Sequence, residues 1–405
     1  MADFHQNGNI TTLHNLRTRD VREMENELSA FASTRNITLI LPCLYSELEG
    51  DALHNILKEL SEVKYLHRII IGLDAASEKQ FRHAKEFFKA LDQNHIVIWN
   101  DSPRMLALGD RLDALGLRPN EQGKGKNVWS SLGYLMSCAD SDVMAIHDCD
   151  ILTYDKEMLA RLVYPVANPT FPYQVAKGYY ARIGGEKLNG RVTRLLVSPL
   201  LIALNRVIGS RDYIDFLRSF RYPLSGEFAM RTAILPDLRI PSDWGLEIGV
   251  LSEAWRNLAP KAVCQVEISD AYDHKHQDLS ADEATAGLNR MSTDICKAIF
   301  RKLAADGTVF TPNVFRTLKA TYYRLALDLL DSYCSDAKMN GLNIDRHTEE
   351  RSIELFAENI MRAGQVFLDN PHETPFIPTW SRVHAADPSF LTDMNAAAKA
   401  DEAEY

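Results

Sequence analysis

The chain has no closely spaced cysteines, no long apolar run and no excess of positive charge, and each absence removes a class of protein. Its six cysteines, at 43, 138, 149, 264, 296 and 334, include no C-x-x-C pair. Neither a disulfide framework nor a cysteine metal site is therefore indicated, and reduced thiols in a cytoplasm fit. No uninterrupted apolar stretch approaches the ~20 residues that span a bilayer, and the first residues carry no signal-peptide core. No membrane association and a cytoplasmic location are expected. A formal net charge of −10 argues against nucleic acid or an anionic surface as a partner, so an anionic substrate would need a local basic pocket. Internal repeats are absent, and the G-x-x-x-x-G-K-[ST] spacing of a P-loop does not occur.

What is present is 405 residues, 46% hydrophobic and 25% charged, enough for one large or two ordinary globular domains. After a polar lead-in over 1–35 with one helix, strand-like and helix-like segments alternate. Ile37 to Cys43 reads as a buried strand that Pro42 should end. Leu48 to Val63 has helical spacing, Arg68 to Asp74 is strand-like, Ser77 to Leu91 helical, and His95 to Asn100 a third strand. Such alternation predicts a mostly parallel, Rossmann-like sheet flanked by helices. From residue 281 onward long amphipathic helices are expected (281–305, 314–335, 348–368), buttressing the rest or forming a homodimer. A loop-like tail follows, whose alanine- and acid-rich end, Met394 to Tyr405, should fray or pack on a partner.

The chemistry concentrates where Val143-Met144-Ala145-Ile146 ends in His147-Asp148-Cys149-Asp150. Two carboxylates at the carboxyl end of a buried strand lie where α/β sheets hold ligands, and their repulsion calls for a divalent cation or a shared proton. The alternative is a solvated loop. Asp140-Ser141-Asp142 has the same spacing but precedes the strand. Upstream, Gln122-Gly123-Lys124-Gly125 opens a helix, so backbone N–H groups and an ammonium could meet a diphosphate. Gly190-Arg191-Val192-Thr193-Arg194 opens another helix and offers guanidiniums and a hydroxyl to a carboxylate or phosphate. Ser225-Gly226-Glu227 and Ser242-Asp243-Trp244-Gly245-Leu246-Glu247 each place acid next to glycine ahead of what reads as an apolar helix. Asp273-His274-Lys275-His276 follows the strand Ala262 to Ile268. One imidazole with carboxylates and phosphate oxygens would suit Mn²⁺ or Mg²⁺.

These segments, together with Leu41-Pro42, Pro223-Leu224 and Ile248-Gly249, occur in one order that resembles the glucosyl-3-phosphoglycerate synthases. These are retaining glycosyltransferases of GT-A fold. The similarity runs over roughly residues 36–280; the related mannosylglycerate synthases share fewer of the blocks. The resemblance implies a catalytic domain at 36–280, with a nucleotide-sugar part at 36–150 and an acceptor part at 151–280. It implies Pro42, Cys43, Leu44 and Asp74 at the uridine, with Glu47 (or Ser46) as the offset acidic residue of the first nucleotide loop. Lys124 would lie near the diphosphate, Asp148 by the ribose or sugar, and Asp150 and His274 would hold Mg²⁺ or Mn²⁺. Glu247 would bind the glucose hydroxyls. Gly190, Arg191, Thr193, Leu224, Ser225, Gly226 and His276 would face the small anionic acceptor. His276 stands where that family commonly has asparagine, which opens free glycerate or another hydroxy acid as acceptor. A sugar-nucleotide pyrophosphorylase would want a glycine-rich, arginine-bearing loop after the first strand, which Leu41-Pro42-Cys43-Leu44 is not; a non-catalytic binder would not need the acidic set.

Overall fold

The computed structural model describes residues 6, 9–119, 123–274, 287–371 and 377–405. In chain order the elements are β1 (Thr11–Leu13), α1 (Val21–Ala32), β2 (Ile37–Leu44), α2 (Asp51–Ser61), β3 (Leu66–Asp74), α3 (Glu78–Phe88), β4 (His95–Trp99), α4 (Pro103–Ala114), α5 (Lys124–Cys138), β5 (Val143–Ile146), α6 (Lys156–Ala167), β6 (Val175–Gly184) and β7 (Lys187–Leu188). A π-helical turn, Val192–Val197, then runs into α7 (Ser198–Ile208), followed by α8 (Asp212–Ser219), β8 (Phe228–Arg231), α9 (Leu246–Asn257) and β9 (Val263–Tyr272). The C-terminal helices are α10 (Gly287–Ala305), α11 (Pro312–Met339), α12 (Arg346–Asp369), α13 (Trp380–Ala386) and α14 (Phe390–Glu404).

The nine strands of the described residues form one sheet in the order β1-β9-β6-β8-β5-β2-β3-β4, with β7 pairing β6 off this path. All pairings along the path are parallel except the two made by β8. Because side chains alternate along a strand, one strand feeds two cores. Ile40, Ile70, Met144 and Ile146 join the cluster built with α5 and the C-terminal helices. Leu39, Leu41, Ile69, Ile71, Val143 and Ala145 join the cluster built with α2, α3 and α6. This two-sided burial is why the strands read as continuous apolar runs.

Four expectations are corrected. Pro42 lies inside β2, paired in register with Gly72. The Ile40 carbonyl accepts from the His147 amide on the β5 side, and Pro42, two residues on, turns its missing N–H to that side, past the last β2–β5 pair, where no ladder bond is lost. The segment after Ser225-Gly226-Glu227 is the strand β8 rather than a helix: Phe228, Ala229 and Met230 are buried between β5 and β6. The lead-in also contributes a strand, since β1 pairs with β9 at the sheet edge.

Over its described residues the C-terminal tail is mostly helical and packs on the rest of the chain. Trp380 of α13 stacks on Trp129 of α5 at 4.0 Å between ring centroids, and a Cβ on Gly133 would lie 2.1 Å from the Trp380 ring. Helix α14 is tied to α4 by Arg104 to Asp401 (2.6 Å) and Glu404, and by Arg111 to Asp393 (2.7 Å). Met394 and Ala398 bury its other face, and Tyr405 meets the Phe81 and Trp99 rings edge-on. The tail thus backs the sheet and α5, the helix that presents Lys124.

Candidate active site

Alternation at the end of β5 sorts the central motif. His147 and Cys149 turn inward and are buried, whereas Asp148 and Asp150 stay partly open at the sheet edge. Hydrogen bonding to Cys43 and burial hold the Cys149 thiol well above its ordinary range, so it is no nucleophile.

Lys124 reaches Asp148 Oδ1 at 2.6 Å and Glu247 Oε1 at 3.4 Å, joining the N-terminus of α5, the end of β5 and the first turn of α9. Burial pulls the Lys124 ammonium down, but the charges of Asp148 and Glu247 outweigh it and hold it above the usual lysine range. Burial would raise Asp148, and Lys124 overcomes that, so this carboxyl is held below its usual range. The pair is therefore ionised at neutral pH.

Glycines let the segments close on one another. A Cβ on Gly226 would stand 2.5 Å from Asp148 Oδ2 and 2.8 Å from Lys124 Nζ, so only glycine lets the 224–226 loop cover that pair. A Cβ on Gly125 would meet the Pro241 carbonyl at 2.2 Å, and one on Gly249 the Pro241 ring at 2.3 Å. Pro241 thus clamps the starts of α5 and α9 together.

The strand end of β9 completes this edge. Ile151 and His274 form a bridge, the Leu152 amide donates to the Asp273 carbonyl at 2.9 Å, and His274 Nδ1 lies 3.4 Å from Asp150 Oδ2. Among the described residues no group of three or more His, Cys, Asp or Glu side chains gathers for a metal. Asp150 and His274 instead bring one carboxylate and one imidazole within reach of a single divalent ion, whose other positions a ligand's oxygens could fill. That donor set fits Mg²⁺ or Mn²⁺. His276 lies outside the described residues.

Asp74 sits at the end of β3, where Asn100 Nδ2 donates to it at 2.7 Å; burial raises its pKa against the hydrogen bonds of Asn100 and Asn127. Pro42, Cys43 and Leu44 end the adjacent β2, with Leu44 exposed, and Glu47 lies in the single 3-10 turn that follows. The structure therefore gathers Pro42 to Leu44, Asp74, Lys124, Asp148, Asp150, Glu247 and His274 on the elements that end at one sheet edge. Gly190, Arg191 and Thr193 lie at the start of the π-helical turn. Gly190 adopts φ +74, and a Cβ there would meet Tyr222 at 3.4 Å, two residues before Leu224.

Two residues were given no role by sequence reasoning. The Glu227 carboxylate is fully buried and accepts from Tyr180 Oη, Tyr272 Oη (both 2.7 Å) and Ser225 Oγ (3.0 Å), tying the 225–226 loop to the strand that leads to His274. Lys177 is buried on β6, donates to the Ser225 carbonyl, and is lowered to about 8 by burial. Glu227 had a signal in its place beside Gly226; Lys177, inside an apolar strand, had only its incongruity.

A mostly parallel sheet with an acidic pair, an ion-paired lysine and a histidine converging on one strand edge defines a glycosyltransferase of GT-A architecture. Crystal structures of glucosyl-3-phosphoglycerate synthase from Mycobacterium tuberculosis share the fold. The complex with Mn²⁺, UDP-glucose and phosphoglyceric acid aligns with TM-score 0.53 at 23% identity, covering 73% of this chain and 88% of that one. The chain belongs to the glucosyl-3-phosphoglycerate synthase family: it is 43% identical to the enzyme of Persephonella marina over 404 residues and 36% identical to that of Methanococcoides burtonii over 408. The first alignment covers the whole of both chains, the second all of this chain and 99% of the relative. No family model matches the sequence.

Proposed function

We propose that the protein transfers glucose from a nucleoside-diphosphate glucose, UDP-glucose in the first instance, to 3-phosphoglycerate, with retention of configuration. The observation that carries this reading is the meeting of Lys124, Asp148, Glu247 and Gly226 at one sheet edge in a chain of this family. Pro42, Cys43, Leu44, Glu47 and Asp74 receive the uridine, and Lys124 keeps its positive charge beside the diphosphate. Asp148 holds Lys124 and accepts from the ribose or sugar, and Glu247 accepts hydrogen bonds from the glucose hydroxyls. Asp150 and His274 hold Mg²⁺ or Mn²⁺, which when bound stabilises negative charge on the departing diphosphate.

The acceptor's anionic groups fall to Arg191, Thr193 and the Gly190 backbone, and its hydroxyl to the side of Leu224, Ser225 and Gly226; the resemblance assigns His276, outside the described residues, to the acceptor as well. Front-side displacement then moves the acceptor's proton to the leaving diphosphate while the new glycosidic bond forms on the face the diphosphate leaves. Fixed charges at Lys124 and the helix start of α5 lower the barrier because they need no reorientation as charge develops. We assign residues 36–150 to the donor, 151–280 to the acceptor and 281–405 to support of both, in a cytoplasmic homodimer. No helix of the described residues is long and apolar enough to cross a membrane.

A product screen tests this: UDP-glucose, GDP-glucose and GDP-mannose, each against 3-phosphoglycerate and glycerate, with and without Mn²⁺ or Mg²⁺. Metal-dependent formation of glucosyl-3-phosphoglycerate is expected. Transfer only to free glycerate would favour the second reading that the unusual His276 motivates.

A further inference from the structure

Arg191 and Arg194, on the π-helical turn, share one carboxylate from a distant part of the chain. Arg191 Nε donates to Glu349 Oε1 at 2.8 Å, and Arg194 Nη2 to Glu349 Oε2 at 2.9 Å. Glu349 is buried in the first turn of α12. The two arginines are not equivalent. Arg194 is buried, spends Nε on the Asn189 carbonyl and Nη2 also on the Leu188 carbonyl, and lies over the Tyr333 ring at 5.1 Å. Arg191 is partly open, its side chain 28% exposed, and makes its one hydrogen bond among the described residues through Nε. Its two terminal amines are left for an anion, in the fork geometry that suits phosphate or carboxylate.

The turn itself is held from outside. π-helical turns are rare and concentrate at functional sites. Here Tyr322 of α11 donates to the Leu195 carbonyl at 2.6 Å, Tyr333 covers Arg194 and Glu349 fixes both guanidiniums. A second contact holds the preceding hairpin: the Asn343 amide, between α11 and α12, donates to the Glu186 carbonyl at 2.7 Å. Two guanidiniums and one carboxylate leave the cluster with a net positive charge.

We infer that Glu349 is a positioning residue for the acceptor: from the C-terminal helices it holds Arg191 by Nε and thereby sets the affinity for the anionic acceptor. The inference rests on the acceptor reading given above. Glu349 is buried and also keeps Arg194 paired, so its removal should lower stability as well. Arg191→Ala leaves Glu349 paired with Arg194, so loss of the Arg191 contact alone should register in binding rather than in stability. The Arg194 contact is the structural one.

The test is titration of 3-phosphoglycerate into the full chain with UDP and Mn²⁺ present, alongside kcat and KM for both substrates. Proteins compared are the wild type, Glu349→Gln, Glu349→Asp, Arg191→Ala and the double variant Glu349→Gln/Arg191→Ala. Glu349→Gln should weaken 3-phosphoglycerate binding and raise its KM about tenfold, with KM for UDP-glucose and kcat within about twofold. In the Arg191→Ala background it should add nothing. Glu349→Asp keeps a charge for Arg194 and should raise only the acceptor KM, by about threefold; it decides the matter if the glutamine variant does not fold. An unchanged acceptor constant, parallel changes for both substrates, or effects that multiply with Arg191→Ala would overturn the inference. If the wild type neither binds nor glucosylates 3-phosphoglycerate, the acceptor reading fails and this inference with it. If it does both and the Glu349 variants match it, the inference alone fails.

Discussion

The proposed donor side and the proposed acceptor side are built by different means. On the donor side every group stands at or next to the end of a parallel strand or the start of a helix, within the stretch 42–150 apart from Glu247 and His274. On the acceptor side a π-helical turn at 192–197 is set by residues 322, 333 and 349, carried on helices far along the chain. Strand ends position side chains through a sheet already fixed by two buried cores. A π-helical turn is rare and is here held by outside anchors; on the proposed acceptor reading those anchors would make acceptor affinity a property of the C-terminal region. Three substitutions and one titration probe this division.

The largest effect should come from Asp150→Ala, which would remove one of the two protein ligands proposed for the metal at the donor edge. Metal-dependent transfer should fall on the order of 10³-fold, with the unfolding temperature unchanged, measured by product formation with and without a chelator. Full activity in the presence of chelator would remove Asp150 from the donor side.

Next is Trp380→Ala. Trp380 stacks on Trp129 and fills the gap left by Gly133, so its loss should cost about 3–5 kcal/mol of stability in denaturant unfolding. Because it backs α5 and Lys124, it should leave KM for 3-phosphoglycerate unchanged where Glu349→Gln raises it. A rise in the acceptor constant would blur the division.

Acid should loosen the donor side. Burial lowers His147 to about 4, while an unfolded histidine protonates near 6.5. Between those values the unfolded chain binds more protons, so stability falls as pH drops from about 6.5 to about 4, by up to about 3 kcal/mol. The slope should flatten in His147→Leu, read from unfolding curves at a series of pH values.

The same division explains what could be read from the sequence. β2, β3 and β4 were visible because strands buried on both faces are continuous apolar runs, and the acidic pair was visible because it breaks such a run abruptly. Lys124 pairs with Asp148 and Glu247, and His274 stands 3.4 Å from Asp150. The four-residue β8 was not legible, since a short antiparallel strand has no period to count, and Phe228-Ala229-Met230 suits a helix equally. The tail was misread because Met394 to Tyr405 is rich in alanine and acid; the overlooked signal was Arg104 and Arg111, seven residues apart on α4, facing its carboxylates. Glu349 is one glutamate among many on an amphipathic helix, and no local pattern marks its pairing with residues more than 150 positions away.

The most direct measurement is calorimetric titration of Arg191→Ala with UDP in the presence of Mn²⁺ and, separately, with 3-phosphoglycerate. UDP affinity should stay within about twofold of the wild type, while 3-phosphoglycerate affinity falls at least about tenfold, as expected for loss of a charged, hydrogen-bonded contact. Equal weakening of both ligands, or undiminished binding of 3-phosphoglycerate, would contradict the account.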